Sequence, residues 1–256
     1  MRVVSLLPLL SALLLALGFS HCVGHAVRHG DHESIGQNNE MTIMQDDVDC
    51  DDGETSLEVD WDGSPEVYTC TMARDRRPAD PIHTMDSIQT CVDVSGDYLP
   101  QHICMNETIE YSMTIPLLEN HRPVRPVDGE YLYLPPQRWL HNIEHGAIVM
   151  LYHPCADSTE VDKLKQLVRG CIRRHIITPY NKLSLERPLA LATWGCHLRM
   201  ARVDEAAVRT FIREKALRGP GRQRYGRGRF DAQLLVEAAT PEGSDQADSV
   251  LCPNQP

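Results

Sequence analysis

The stretch His141-Asn142-Ile143-Glu144-His145-Gly146-Ala147-Ile148-Val149-Met150-Leu151-Tyr152 decides how this chain is read. Its first half carries two imidazoles and a carboxylate, and its second half is an apolar run that ends at His153-Pro154. Pro135-Pro136 before it and Gly146 within it confine any helix to Gln137–His145, about 2.5 turns. A short helix stopped by glycine and leading into a buried strand is therefore expected.

On the C-terminal side, Asp157-Ser158-Thr159-Glu160 has the form of a helix N-terminal box, with Asp157 capping and Glu160 three residues on. Val161, Leu164, Leu167, Val168, Cys171 and Ile172 then follow the helical period. Strands are expected at His175–Thr178 and Leu189–Trp194. Asp204 opens a second helix whose stripe is Ala207, Val208, Phe211 and Ile212, ending before Gly219-Pro220. On the N-terminal side, short strand-like pieces stand between turn formers: Val67–Thr71, Thr90–Val94, Thr108–Ile115 and Glu130–Leu134. This order predicts an α+β fold, or its α/β variant, with at least two helices packed on a small sheet.

The chain begins like a secretory signal peptide over residues 1–24. Arg2 precedes an apolar stretch of fifteen residues, Val3–Leu17, and small residues follow at Gly18, Ser20 and Gly24. Fifteen helical residues span about 22 Å, short of a ~30 Å hydrocarbon core, so an uncleaved anchor is the less favoured alternative. No later segment is long and apolar enough to span a membrane, so a secreted or lumenal protein is expected. Asn106-Glu107-Thr108 is a glycosylation acceptor suited to that compartment. So are the nine cysteines, among which there is no C-x-x-C pair. Removal of Cys22 with the signal leaves Cys50, Cys70, Cys91, Cys104, Cys155, Cys171, Cys196 and Cys252 for disulfides. Cys155 and Cys171 flank the expected helix, about 24 Å apart, and so should pair elsewhere.

Residues 25–65 read as an acidic, loop-rich lead-in, residues 66–220 as one globular domain, and residues 221–256 as a flexible tail. Within the lead-in, Asp47, Asp49, Asp51 and Glu58 take the spacing of a calcium loop. Gly53 falls one place late and Cys50 intrudes, so an acidic loop is expected instead. The formal charge of −11 argues against nucleic acid as a partner.

The histidine cluster allows three chemistries. A spacing of four keeps His141 and His145 on one face of a helix or a strand, whereas Glu144 joins His141 only in a helix. The string fits H-x-x-E-H, in which two histidines bind zinc and the glutamate activates water. That pattern also needs a downstream ligand, for which Glu205 and Glu214 are the helical candidates. Alternatively the side chains are polar anchors, with His141 and Glu144 satisfying buried backbone and His145 closing the helix.

The segment Trp139-Leu140-His141-Asn142-Ile143-Glu144-His145-Gly146-Ala147-Ile148-Val149 resembles the signature of the domain-of-unknown-function family 3105, found in exported bacterial proteins and in animals. Tyr131-Leu132-Tyr133-Leu134-Pro135-Pro136-Gln137-Arg138-Trp139-Leu140-His141-Asn142 is similar to its animal branch, the tumour protein p53-inducible protein 13 group. Cys104-Met105-Asn106-Glu107-Thr108, Tyr152-His153-Pro154-Cys155-Ala156, Ile176-Ile177-Thr178-Pro179 and Arg187-Pro188 extend the resemblance over roughly residues 100–220. For the animal branch it implies a link to stress-induced growth restraint and a membrane anchor, which this chain does not show after its signal. It also implies an upstream histidine, whose place is taken by Asn120-His121-Arg122-Pro123. His121, His141, His145 and Glu144 then form a candidate set for zinc or copper, with His153 as a spare in a loop.

Three functions are thus in play. The first is a non-enzymatic, secreted, disulfide-stapled binding domain for an extracellular protein or small ligand, with a metal at the histidines. The second is a zinc hydrolase with Glu144 as general base. The third is a structural domain whose histidines anchor a polar core.

Overall fold

The computed structural model describes residues 50–72 and 85–253. The signal-like stretch, lead-in residues 25–49, residues 73–84 and the last three residues lie outside the described residues.

Seven strands form one mixed sheet: β1 (Ile88–Cys91), β2 (Gly129–Tyr131), β3 (Ile148–Tyr152), β4 (His175–Pro179), β5 (Leu189–Thr193), β6 (Cys196–Met200) and β7 (Leu234–Glu237). Their spatial order is β1-β6-β5-β3-β4-β2-β7. Helix α1 (Pro136–Glu144) leads into β3, α2 (Ser158–Cys171) carries the chain from β3 to its parallel neighbour β4, and α3 (Glu205–Lys215) follows the β5–β6 hairpin. The fold is α+β, as expected, with a larger sheet than the sequence suggested.

The continuous apolar run of β3 is explained by cover on both faces. Ile148 and Met150 enter a core with Leu164, Val168, Phe211 and Ile212 from α2 and α3. Val149 and Leu151 point the other way, into a core with Trp139, Leu140 and Ile143 from α1. Asp157 caps α2 by accepting from the Thr159 and Glu160 amides, as expected. Glu160 does not complete the reciprocal box. Its carboxylate instead accepts from the Val203 amide at 2.6 Å, tying α2 to the loop before α3.

Two expected strands are absent. Val67–Thr71 follows Pro65, which opens a 3-10 turn (Pro65–Val67), and Cys70 is then drawn to Cys155. Thr108–Ile115 is irregular because side chains fix its surroundings in place of a ladder: the Tyr180 hydroxyl donates to the Thr114 carbonyl, and Tyr111 donates to the Asn120 carbonyl. Of Thr90–Val94 and Glu130–Leu134, only the first residues belong to strands β1 and β2.

All eight candidate cysteines pair, as Cys50–Cys104, Cys70–Cys155, Cys91–Cys196 and Cys171–Cys252. Cys155 and Cys171 find separate partners, as the intervening helix requires. Two of these bridges fasten segments that the sequence reading set apart. Cys50 holds the lead-in, and Cys252 holds the stretch beyond residue 220, which also supplies β7.

The lead-in is attached by charge as well. The Arg138 guanidinium grips Asp51 through Nη1–Oδ2 at 2.6 Å and Nη2–Oδ1 at 3.0 Å, both side chains being buried. Asp51 also accepts from the Val124 amide at 3.0 Å. Arg122 pairs with Asp60 at 2.6 Å and donates to the carbonyls of Ile103, Cys104 and Glu107. Acidic residues that read as a solvated loop are thus counter-ions to two buried arginines.

His175 gives the fold an acid-sensitive point. Its Nδ1 faces the Ile172 carbonyl at 2.7 Å, and burial pushes the imidazole down to about 4. The unfolded chain protonates this group near its ordinary value of about 6.5. The native state refuses that proton, so the associated stability is intact above about pH 6.5 and declines as pH falls toward 4, by up to about 3 kcal/mol. Denaturant titrations should show a shallower loss between these pH values in His175→Asn. Equal slopes in the two proteins would reject the assignment.

Candidate metal centre

Helix α1 exists to hold one face inward. Pro136 sets its first turn, and the chain reverses at Gly146, whose φ of 87° suits glycine. The Gly146 amide donates to Ile143 and the Ala147 amide to Asn142, closing the helix by the paired bonds of a Schellman turn. A Cβ on Gly146 would lie 2.8 Å from the Leu217 Cα, so no side chain fits there. The helix runs one residue earlier than expected, with His145 as its C-cap. His141 and Glu144, at i and i+3, share its inward face.

His121 comes from an extended segment beside α1. The His121 amide donates to the Gln101 carbonyl, and the Ile103 amide donates back to the His121 carbonyl. This short parallel bridge brings His102 opposite His121. One donor atom each from His102, His121, His141 and Glu144 then falls within 4.8 Å of the others. The ring centroids of His102, His121 and His141 are 4.7–5.3 Å apart. Three imidazoles sharing one tetrahedral ion with ~2.1 Å bonds have centroids about 5 Å apart.

Hydrogen bonding orients these rings. The Nδ1 of His121 faces the Glu119 carbonyl at 3.1 Å, and the Nδ1 of His141 faces the Arg122 carbonyl at 3.0 Å. A carbonyl only accepts, so each Nδ1 carries the hydrogen and each Nε2 is left to the cluster. Histidine ligands are fixed in this way by their second nitrogen. The His121 Nε2 meets the Glu144 Oε2 at 3.1 Å. Two acceptors do not attract, so a proton or a cation belongs between them.

Burial, reinforced by the neighbouring His121, His102 and His145, holds His141 well below its ordinary value, so it is a neutral donor at pH 7. Burial acts to raise Glu144, but its hydrogen bond to His121 and the nearby histidines outweigh this, and the carboxyl stays ionised. His145 stands beside the group. Its ring centroid lies 5.1 Å from that of His141, its buried Nδ1 has no hydrogen-bond partner among the described residues, and burial and then Arg125 push it down to about 4.

The remaining candidates are elsewhere. Glu205 pairs with Lys163 and Arg209 on the surface of α2 and α3, and Glu214 is exposed beside Lys215. The Nδ1 of His153 accepts from the Cys155 amide, a loop role. Asn106 is exposed. His102 is the member that sequence reasoning missed. Its only signal is its position two residues before Cys104, just ahead of a string already singled out.

No curated protein and no solved structure matches the chain. A family model does match, over residues 102–227, just under half of the sequence. The matched stretch begins at His102 and takes in every member of the cluster, and the family it resembles is described as protein of unknown function, DUF3105.

Proposed function

We propose that this protein is a metal-binding domain that holds one divalent transition metal, zinc or copper, through His102, His121 and His141 with Glu144. The observation that carries this reading is the convergence of the four side chains: two buried imidazoles spend Nδ1 on backbone carbonyls, the Nε2 of His121 meets the Glu144 carboxylate, and one donor atom from each of the four residues lies within 4.8 Å of the others. Three imidazoles and one carboxylate suit either metal. His145 neighbours the site from the helix end. The four disulfides fit an extracellular or lumenal location, and no described helix is long and apolar enough to cross a membrane. A cleaved signal peptide, glycosylation at Asn106 and a partner outside the cell belong to the same reading. So does kinship with the p53-inducible protein 13 group and its link to growth restraint.

Purified protein should carry close to one equivalent of zinc or copper by elemental analysis, and His121→Ala and His141→Ala should lose it. Metal-free protein, with unchanged melting in both variants, would overturn the metal reading. Glu144→Gln separates binding from hydrolysis. A ligand role predicts weakened metal retention, whereas a general base predicts full retention with loss of a hydrolytic activity.

A further inference from the structure

A concavity lies away from the four donor atoms, where the lead-in crosses the domain. It encloses about 260 Å³. Trp61 and Tyr133 form a corner, with ring centroids 5.1 Å apart and planes at 64°. Phe230 lines the same space, and the Arg138 guanidinium already sits 4.4 Å over its ring. Trp61 is fixed in place: its indole N–H donates to the Ser64 carbonyl at 3.0 Å, and Tyr68 packs edge-on at 6.1 Å.

The charges around this corner are unbalanced. Glu58, Asp60 and Asp62 line it together with Arg138. Arg138 is neutralised by Asp51, and Asp60 by Arg122. Four carboxylates thus face two guanidiniums, which leaves two negative charges in excess. Glu58 is exposed and has no ion-pair or hydrogen-bond partner among the described residues.

We propose that this pocket binds a small organic cation bearing a quaternary or alkylated ammonium group. Aromatic faces attract a diffuse cation through their quadrupoles, and the effect grows as the cation sheds water. Glu58 and Asp62 supply longer-range attraction at the rim. An anion is repelled by the same carboxylates, and a bare metal ion finds aromatic walls where it needs converging donors. The volume falls below that of drug-sized sites, about 300–1,000 Å³, and suits a single head group. Nothing in this inference depends on metal at the histidine cluster.

The test is calorimetric titration of the full, disulfide-intact protein with choline and with its uncharged isostere 3,3-dimethylbutan-1-ol. Choline should bind at least about 10-fold more tightly than the isostere, and Trp61→Ala should weaken choline about 10-fold. Glu58→Gln, an exposed and conservative change, should weaken it about two- to fivefold without altering metal content or melting. Equal binding of the isostere would make the pocket merely apolar and overturn the proposal. Absence of choline binding at millimolar concentration would overturn it too, as would undiminished binding in both variants. Trp61-dependent sedimentation with phosphatidylcholine vesicles, without binding of free choline, would overturn it in favour of a lipid head group.

Discussion

Asp51→Ala should destabilise the folded protein by about 3–5 kcal/mol. Arg138 is essentially buried, and both its terminal nitrogens bond the Asp51 carboxylate. Removing the carboxylate leaves a guanidinium with no water to replace it. Asp60 lies 3.9 Å from the Arg138 Nε but is committed to Arg122. The Val124 amide also loses its acceptor. For a domain of this size the melting temperature should fall by about 10 °C. Arg138→Met in the Asp51→Ala background should recover much of the loss, because an apolar side chain replaces the orphaned charge. Guanidinium denaturation of the oxidised, metal-free protein measures both. A loss under about 1 kcal/mol in the single variant would show that the pair is open to solvent.

Arg122→Met should weaken metal binding by about 10- to 100-fold, although Arg122 contributes no donor atom. Its guanidinium gathers the carbonyls of Ile103, Cys104 and Glu107, which fixes the loop that presents His102. The backbone carbonyl that orients His141 survives the substitution, so His121, His141 and Glu144 remain oriented. Affinity should therefore fall without vanishing, unlike in His141→Ala. Competition with a chromophoric chelator reads the difference. Unchanged affinity would mean that His102 is held by the bridge to His121 and by Cys50–Cys104 alone.

The parts of the fold legible in the sequence are those whose apolar period matches their structure. Helices α1, α2 and α3 and strands β3, β4 and β5 follow it because each buries a continuous stripe or run. Strand β6 alternates buried Cys196, Leu198 and Met200 with half-buried His197 and Arg199, a period-2 signal too short at five residues to stand out beside the longer apolar runs. Strand β7 is mostly exposed at the sheet edge and carries almost no burial signal. At the candidate centre, the residues of α1 were legible because helical spacing groups them, and His121 through a family pattern. His102 enters through a two-residue bridge between distant segments, and no local period encodes such a contact. Asp51 and Asp60 were hidden for a related reason, since an acidic loop looks solvated until its buried counter-ions are known.

The disulfide pattern has a topological consequence. Each bridge joins a cysteine inside residues 102–227, at 104, 155, 171 or 196, to one outside them, at 50, 70, 91 or 252. No bridge closes within the central stretch, and none links two outer segments directly. The central stretch therefore acts as a hub to which every outer piece is moored separately. A backbone cut in the stretch between Cys70 and Cys91 frees no fragment, because Cys70–Cys155 holds one side and Cys91–Cys196 the other. The oxidised molecule is a covalent network that outlasts the continuity of its own chain.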